Sequence, residues 1–324
     1  MARILGSSHV GFLDGWRGIA IALVLYDHFF PSTRLTDVGR MGVDVFFCLS
    51  GLLMSNILYV ERVPLKRFYK RRISRILPVF IVFVVCTFSG HWLLTGDFST
   101  TEFLATSAFL RTYVPEQPGI WESSLPIQHL WSLNVEEHCY LVMGLFALLR
   151  LSRAGDAALL IVAAACSSLI FVLYAMFPEL APSSGWLGTE IVAVHILASA
   201  GYYLVRDRFV SRVRSWMPIA AFAAAAICYT PYVPWWSHVL LTPYLMAFTV
   251  NHLKQCSPIV LRLLSASPLR QLGIWSYSIY IWQQPFYVHK AGWPGFALAG
   301  ALVTALASFY LFEAPLRNWL NETW

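Results

Sequence analysis

Apolar stretches of roughly 17–22 residues recur from one end of the chain to the other, separated by short polar or basic segments. Wound as a helix, a stretch of that length crosses a hydrocarbon layer about 30 Å thick. The pattern predicts about ten spans, approximately at 13–31, 42–60, 76–94, 130–149, 157–177, 189–205, 216–230, 238–253, 272–288 and 296–312. A shorter apolar stretch at 102–113 predicts a short or re-entrant helix. The expected fold is an all-α integral membrane bundle, one domain over residues 1–324, with no repeat and no soluble domain at either end.

Lys and Arg positions orient such a bundle, because they accumulate on the cytoplasmic side. With the N-terminus inside and the segments alternating, 19 of the 23 basic residues fall on the inner face. Among them are Arg3, Arg17, seven between Arg62 and Arg75, and four from Arg206 to Arg214. Only Arg34, Arg40, Arg111 and Lys290 fall outside. Both termini are therefore expected in the cytoplasm. The longest external segment, 95–129, carries Pro115, Pro118 and Pro126 and reads as a loop.

Composition strengthens this picture. Hydrophobic residues make up 58% and charged residues 12%, about half the charged share of a soluble protein. Thirteen Trp, 15 Tyr and 22 Phe supply interfacial aromatics. The net charge of +6 follows from the inner-face bias and gives no reason to invoke nucleic acid. Five of the six cysteines lie inside apolar runs, which suits small core side chains rather than a disulfide framework. No small-residue cleavage site follows the first apolar run, so no cleavable signal peptide is expected.

Ionisable groups inside such spans are costly and mark functional candidates. The first span, LDGWRGIAIALVLYDHFF, holds Arg17 and His28 eleven steps apart. At 100° per step they share a helix face within about 20°, roughly 16 Å apart along the axis. A blander reading has Arg17 reaching the inner headgroups and Asp27-His28 marking the outer interface.

The fourth span opens QHLWSLNVEEHCYLV, where His129, Ser132, Glu136 and Tyr140 recur at three- and four-residue spacing along one face. Glu137 is turned off that stripe; Glu136 reads as functional before structural, and Glu137 equally as half of a structural ion pair. Asp44, in GVDVFFCLSG, is placed at a depth similar to His28; Ser50-Gly51 reads as close helix packing. The basic segment ERVPLKRFYKRRISRILP reads as a loop that orients the protein and binds anionic lipid, or offers Arg71, Arg72 and Arg75 to a phosphate. In LGIWSYSIYIWQQPF, Ser276, Tyr280 and Gln283 form a further stripe with Gln284 alongside, and Glu313 and Arg317 pair at one helix end. No nucleotide loop, HExxH or CxxC is present, and the nine histidines lack metal-ligand spacing, so no metal is expected.

Taken in order, the segments LDGWRGIAIALVLYDH, GVDVFFCLSG, RFYKRRISRILP, HLWSLNVEEHCYL, SYSIYIWQQPF and FEAPLRNWL resemble the acyltransferase-3 family of membrane O-acyltransferases. The resemblance implies a ten-span bundle in a bacterial plasma membrane. It would carry an acyl group, commonly acetyl, from cytoplasmic acyl-CoA to a hydroxyl of a glycan, lipid or small natural product. By motif, His28 corresponds to the catalytic base with Arg17 its partner, Glu136 to an essential carboxylate, and Arg72 and Arg75, with Arg71 beside them, to the CoA-phosphate contact. Asp44, Ser132, Glu137 and Tyr280 are read as supporting residues. Two departures stand out: Gln283 occupies a place where relatives often have His, and His138-Cys139 replaces the commoner Gln-Phe. Many relatives carry an external hydrolase-like domain; the chain ends at Trp324, so none is expected here.

This reading gives the 16 Å between Arg17 and His28 a purpose, since CoA places its phosphates and its thioester at opposite ends of a long arm. Neutral His28 would take the acceptor's proton, with Glu136 orienting the imidazole as a triad's third member does. An acyl-histidine route is equally open. A polytopic transporter using Arg17, His28 and Glu136 as a proton or substrate path is the alternative, although it lacks inverted repeats. A lipid-binding or structural protein is the third reading.

Overall fold

The computed structural model describes residues 7–30, 37–182, 185–290 and 292–323; Arg3, Arg34 and Trp324 lie outside these. Fifteen α-helices and no strand occur among the described residues. In order they are α1 (Ser7–Phe29), α2 (Val38–Ser55, continued by a wider turn Asn56–Val60), α3 (Leu65–Thr95), α4 (Thr100–Ser107) and α5 (Leu130–Leu148). There follow α6 (Arg153–Met176), α7 (Thr189–Val192), α8 (Val194–Val205), α9 (Met217–Ile227), α10 (Ser237–Leu240) and α11 (Thr242–Asn251). The last are α12 (Pro258–Leu264), α13 (Ser267–Val288), α14 (Pro294–Ser308) and α15 (Ala314–Thr323).

Among the described residues, four helical stretches are long and apolar enough to cross a membrane: Val38–Val60, Leu65–Thr95, Arg153–Met176 and Pro294–Thr323. Each of the other expected spans also coincides with helix, but in shorter or more polar form. The 189–205 stretch is divided at Ala193 between α7 and α8, and 238–253 is divided at Leu241, just before Pro243. Exposed Leu93, Leu94, Phe296 and Leu311 on α3 and α14–α15 leave apolar surface facing outward, as lipid contact requires. All six cysteines are free; Cys86 and Cys166 are exposed on such faces rather than in the core.

The basic segment expected as a loop is helical from Leu65, and Arg71, Arg72 and Arg75 stand on α3. Lys and Arg are good helix formers, so nothing between Pro64 and Pro78 breaks the turn. Pro78 removes one backbone bond inside the helix, but Ile76, Val79, Phe80 and Phe83 beside it are buried and hold the helix in place. With 31 residues, α3 is about 46 Å long, more than a hydrocarbon core accommodates.

The centre of the bundle is the pair α1–α13, with α2 and then α8 and α11 packed beside it. α1 and α13 touch backbone to backbone. A Cβ on Gly273 would lie 1.8 Å from the Asp14 carbonyl oxygen, and one on Gly18 would lie 2.1 Å from that of Leu269. Only glycine permits that approach. Gly273→Ala is expected to force the helices apart and to cost about 3 kcal/mol, the upper end for overpacking, because backbone cannot yield as a side chain does. Thermal unfolding in detergent measures this, and an unchanged midpoint would contradict the packing.

Candidate active site

Five helices enclose one polar cavity of about 80 Å³ within the apolar bundle. α1 brings Arg17; α2 brings Ser50; α3 brings Arg72 and Arg75; α5 brings Ser132, Glu136 and Tyr140; α13 brings Ser276, Tyr277 and Tyr280. The three- and four-residue spacing on α5 explains how Ser132, Glu136 and Tyr140 reach one wall.

Glu136 is held from three sides. Ser50 Oγ and the Tyr140 hydroxyl both donate to its Oε1, and Arg72 Nη2 lies 3.4 Å away. Arg72 also donates from Nε to Glu137 Oε1 at 2.9 Å, and its guanidinium lies over the Tyr140 ring, 3.8 Å from the centroid. Both carboxylates are therefore committed to one arginine. Arg17 and Arg75 line the cavity with no carboxylate within ion-pair distance among the described residues; Asp14 tempers their field from farther away. The cavity is net cationic.

At its far end, the Tyr280 hydroxyl donates to the His129 carbonyl at 2.7 Å and accepts from Ser132 Oγ, which itself lies 3.2 Å from the same carbonyl. His28 lies outside the cavity lining. Its Nδ1 is 3.1 Å from Gln283 Oε1, one turn along α13 from Tyr280, and its ring stacks on Tyr287 with centroids 4.4 Å apart. Lys290 Nζ donates to the His28 carbonyl. Glu136 is not among the groups that contact His28, so the expected carboxylate–imidazole contact is replaced by an amide. The cause is geometric: Glu136 is turned to Ser50 on α2 and Arg72 on α3, whereas His28 faces Gln283 and Tyr287 on α13.

The remaining sequence candidates separate. Arg71 is exposed and does not line the cavity. Asp44 is fully buried in a different cluster, accepting from Arg40 Nε at 3.2 Å and from the Tyr229 hydroxyl at 2.7 Å, with His195 Nε2 at 3.6 Å. Its neighbour Val43 lines the cavity, and a 100° step turns Asp44 away toward α8. Glu313 pairs with Arg317 at 3.2 Å and accepts from Ser278. The sequence gives Ser50 the bland role of close packing, although it donates to Glu136, and sets His129 and Gln283 on polar stripes without a role for either.

A sequence model of the acyltransferase-3 family, described as an acyltransferase domain, matches residues 10–313. The chain is similar to the peptidoglycan O-acetyltransferase OatA of Listeria monocytogenes, at 24% identity over 96% of this chain and 56% of that protein. It is also similar to YrhL of Bacillus subtilis, named as a candidate peptidoglycan O-acetyltransferase, at 28% identity over 94% of this chain and 54% of YrhL. BcsY of Komagataeibacter xylinus, named as a candidate membrane-bound transacylase, is 28% identical over 96% of this chain and 83% of its own length. The chain thus spans about half the length of OatA and YrhL. No solved structure matches it.

Proposed function

Because the chain belongs to the acyltransferase-3 family, we propose that it is a membrane O-acetyltransferase that moves an acetyl group from acetyl-CoA to a hydroxyl of a glycan. The family and the relatives named for peptidoglycan O-acetylation support the reaction type and the glycan. The observation that carries the donor is the cationic cavity, where Arg17 and Arg75 have no carboxylate within ion-pair distance among the described residues. Guanidinium forks suit phosphate, and CoA is anionic at its nucleotide end. A cavity of about 80 Å³ has room for several waters, so only the slender thioester arm would enter while the nucleotide stays at the mouth.

His28 is the base in this reading. With Nδ1–H donated to Gln283, the neutral ring keeps its Nε2 lone pair for a proton. The acceptor oxygen attacks the thioester carbonyl as its proton passes to Nε2. The C–S bond then breaks, and the imidazolium returns the proton to the departing thiolate. Glu136 acts at a distance, holding Arg72 in place rather than orienting the imidazole. The basic face of α3 is assigned to the cytoplasm and both termini with it, in the plasma membrane of a bacterium.

Purified protein given acetyl-CoA should release free CoA and leave labelled acetyl on a sugar hydroxyl. Substrate flux without thioester consumption would instead support a transporter.

A further inference from the structure

Beyond the Ser132–Tyr280 pair lies a group of buried polar atoms that the proposed chemistry does not use. His129, Gln283 and Gln284 are 4%, 0% and 3% exposed. Gln283 Nε2, Gln284 Oε1 and both ring nitrogens of His129 lack a well-formed hydrogen bond, although the Ile281 backbone lies close to His129. Buried polar groups are nearly always partnered, since each orphan costs about 1–3 kcal/mol. Four such atoms on three neighbouring side chains call for an explanation.

Their placement supplies one. Gln283 is the residue bonded to His28, and Gln284 Nε2 donates to Gln128 Oε1 at 3.2 Å, beside His129 in the chain. His129 is within electrostatic reach of His28. The side chains thus form a belt running from His28 through Gln283 and Gln284 to Gln128 and His129. Tyr280 and its bond to the His129 carbonyl separate this belt from the arginine cavity. Among the described residues the belt carries amide and imidazole groups and no carboxylate or guanidinium, and the Lys290 ammonium beside it is committed to the His28 carbonyl and the Tyr287 ring; such a set suits a neutral ligand with several hydroxyls rather than a phosphate.

We infer that His129, Gln283 and Gln284 form the acceptor subsite beside His28, taking the neighbouring hydroxyls of a carbohydrate while one hydroxyl faces the imidazole. The inference rests on His28 as base and adds the groups that hold the acceptor. The thioester would pass Tyr280 to reach the imidazole, so that donor and acceptor meet at His28 and a sugar need not enter the cationic cavity.

The test uses full-length protein in detergent, acetyl-CoA as donor and chitotetraose, a β-1,4-linked N-acetylglucosamine tetramer, as acceptor probe. Gln284→Leu and His129→Phe should each raise the KM for chitotetraose about three- to tenfold, one neutral hydrogen bond's worth. The Kd for CoA, measured by calorimetry, should stay unchanged. The unfolding midpoint of each variant in detergent, expected near the wild-type value, serves as the folding control. An unchanged acceptor KM overturns the subsite. So does a parallel weakening of CoA binding, or a wild type that consumes acetyl-CoA but transfers nothing to chitotetraose. A wild type that neither binds CoA nor releases it from acetyl-CoA fails earlier and removes the enzyme reading itself.

Discussion

Replacing His28 by Ala is expected to lower acetyl transfer by about 10²–10⁴-fold, the usual contribution of a positioned general base, while CoA still binds. The separation follows from one helix. Arg17 and His28 are eleven residues apart on α1, about 16 Å along its axis, and only Arg17 lines the arginine cavity. Removing the imidazole takes away the proton acceptor and its stacking on Tyr287, yet touches neither Arg72 nor Arg75. Single-turnover CoA release beside a CoA Kd for the same variant makes the comparison. Retention of more than a tenth of the wild-type rate would remove His28 from the chemistry, and a large loss of CoA affinity would make its role structural. Gln283→Leu should fall between wild type and His28→Ala, by about three- to tenfold, because it removes one neutral hydrogen bond that fixes the tautomer but leaves the base.

The parts of this site that lie on one helix were legible in the sequence. A fixed angular step puts Arg17 and His28 on one face of α1, and the same step gathers Ser132, Glu136 and Tyr140 on α5. What spacing leaves open is which neighbour each face meets. Glu136 was paired in expectation with His28, but its partners come from Ser50 on α2 and Arg72 on α3, positions 86 and 64 residues away in sequence. Asp44 illustrates the converse. An ionisable residue in an apolar run was a sound signal of a polar cluster, but the cluster joins α2 to His195 of α8 and Tyr229. Nothing local told whether position 43 or 44 faces the cavity. The helical form of 65–75 was hidden for another reason: charge density suggested a loop, whereas Lys and Arg between two prolines propagate a helix well. Family resemblance, by contrast, rested on the order of many short segments, and residues 10–313 match the family model.

Arg72→Leu should produce the largest loss of stability in the site, about 3–5 kcal/mol, because it strands Glu136 and Glu137 beside each other without their counterion. Arg72 is only 10% exposed and the two carboxylates 22% and 19%, so water relieves little of that charge. Donor binding should fall with it, but that alone would not tell a phosphate contact from a collapsed cavity. The combination Arg72→Leu with Glu136→Gln and Glu137→Gln separates them, since removing the buried negative charge together with its partner leaves no ion uncompensated. Thermal unfolding in detergent should recover most of the lost stability. CoA affinity should recover only as far as Arg17 and Arg75 suffice, which places Arg72 among the phosphate contacts. Recovery of wild-type CoA affinity would assign the anion to Arg17 and Arg75 and leave Arg72 as the residue that ties α3 to α5.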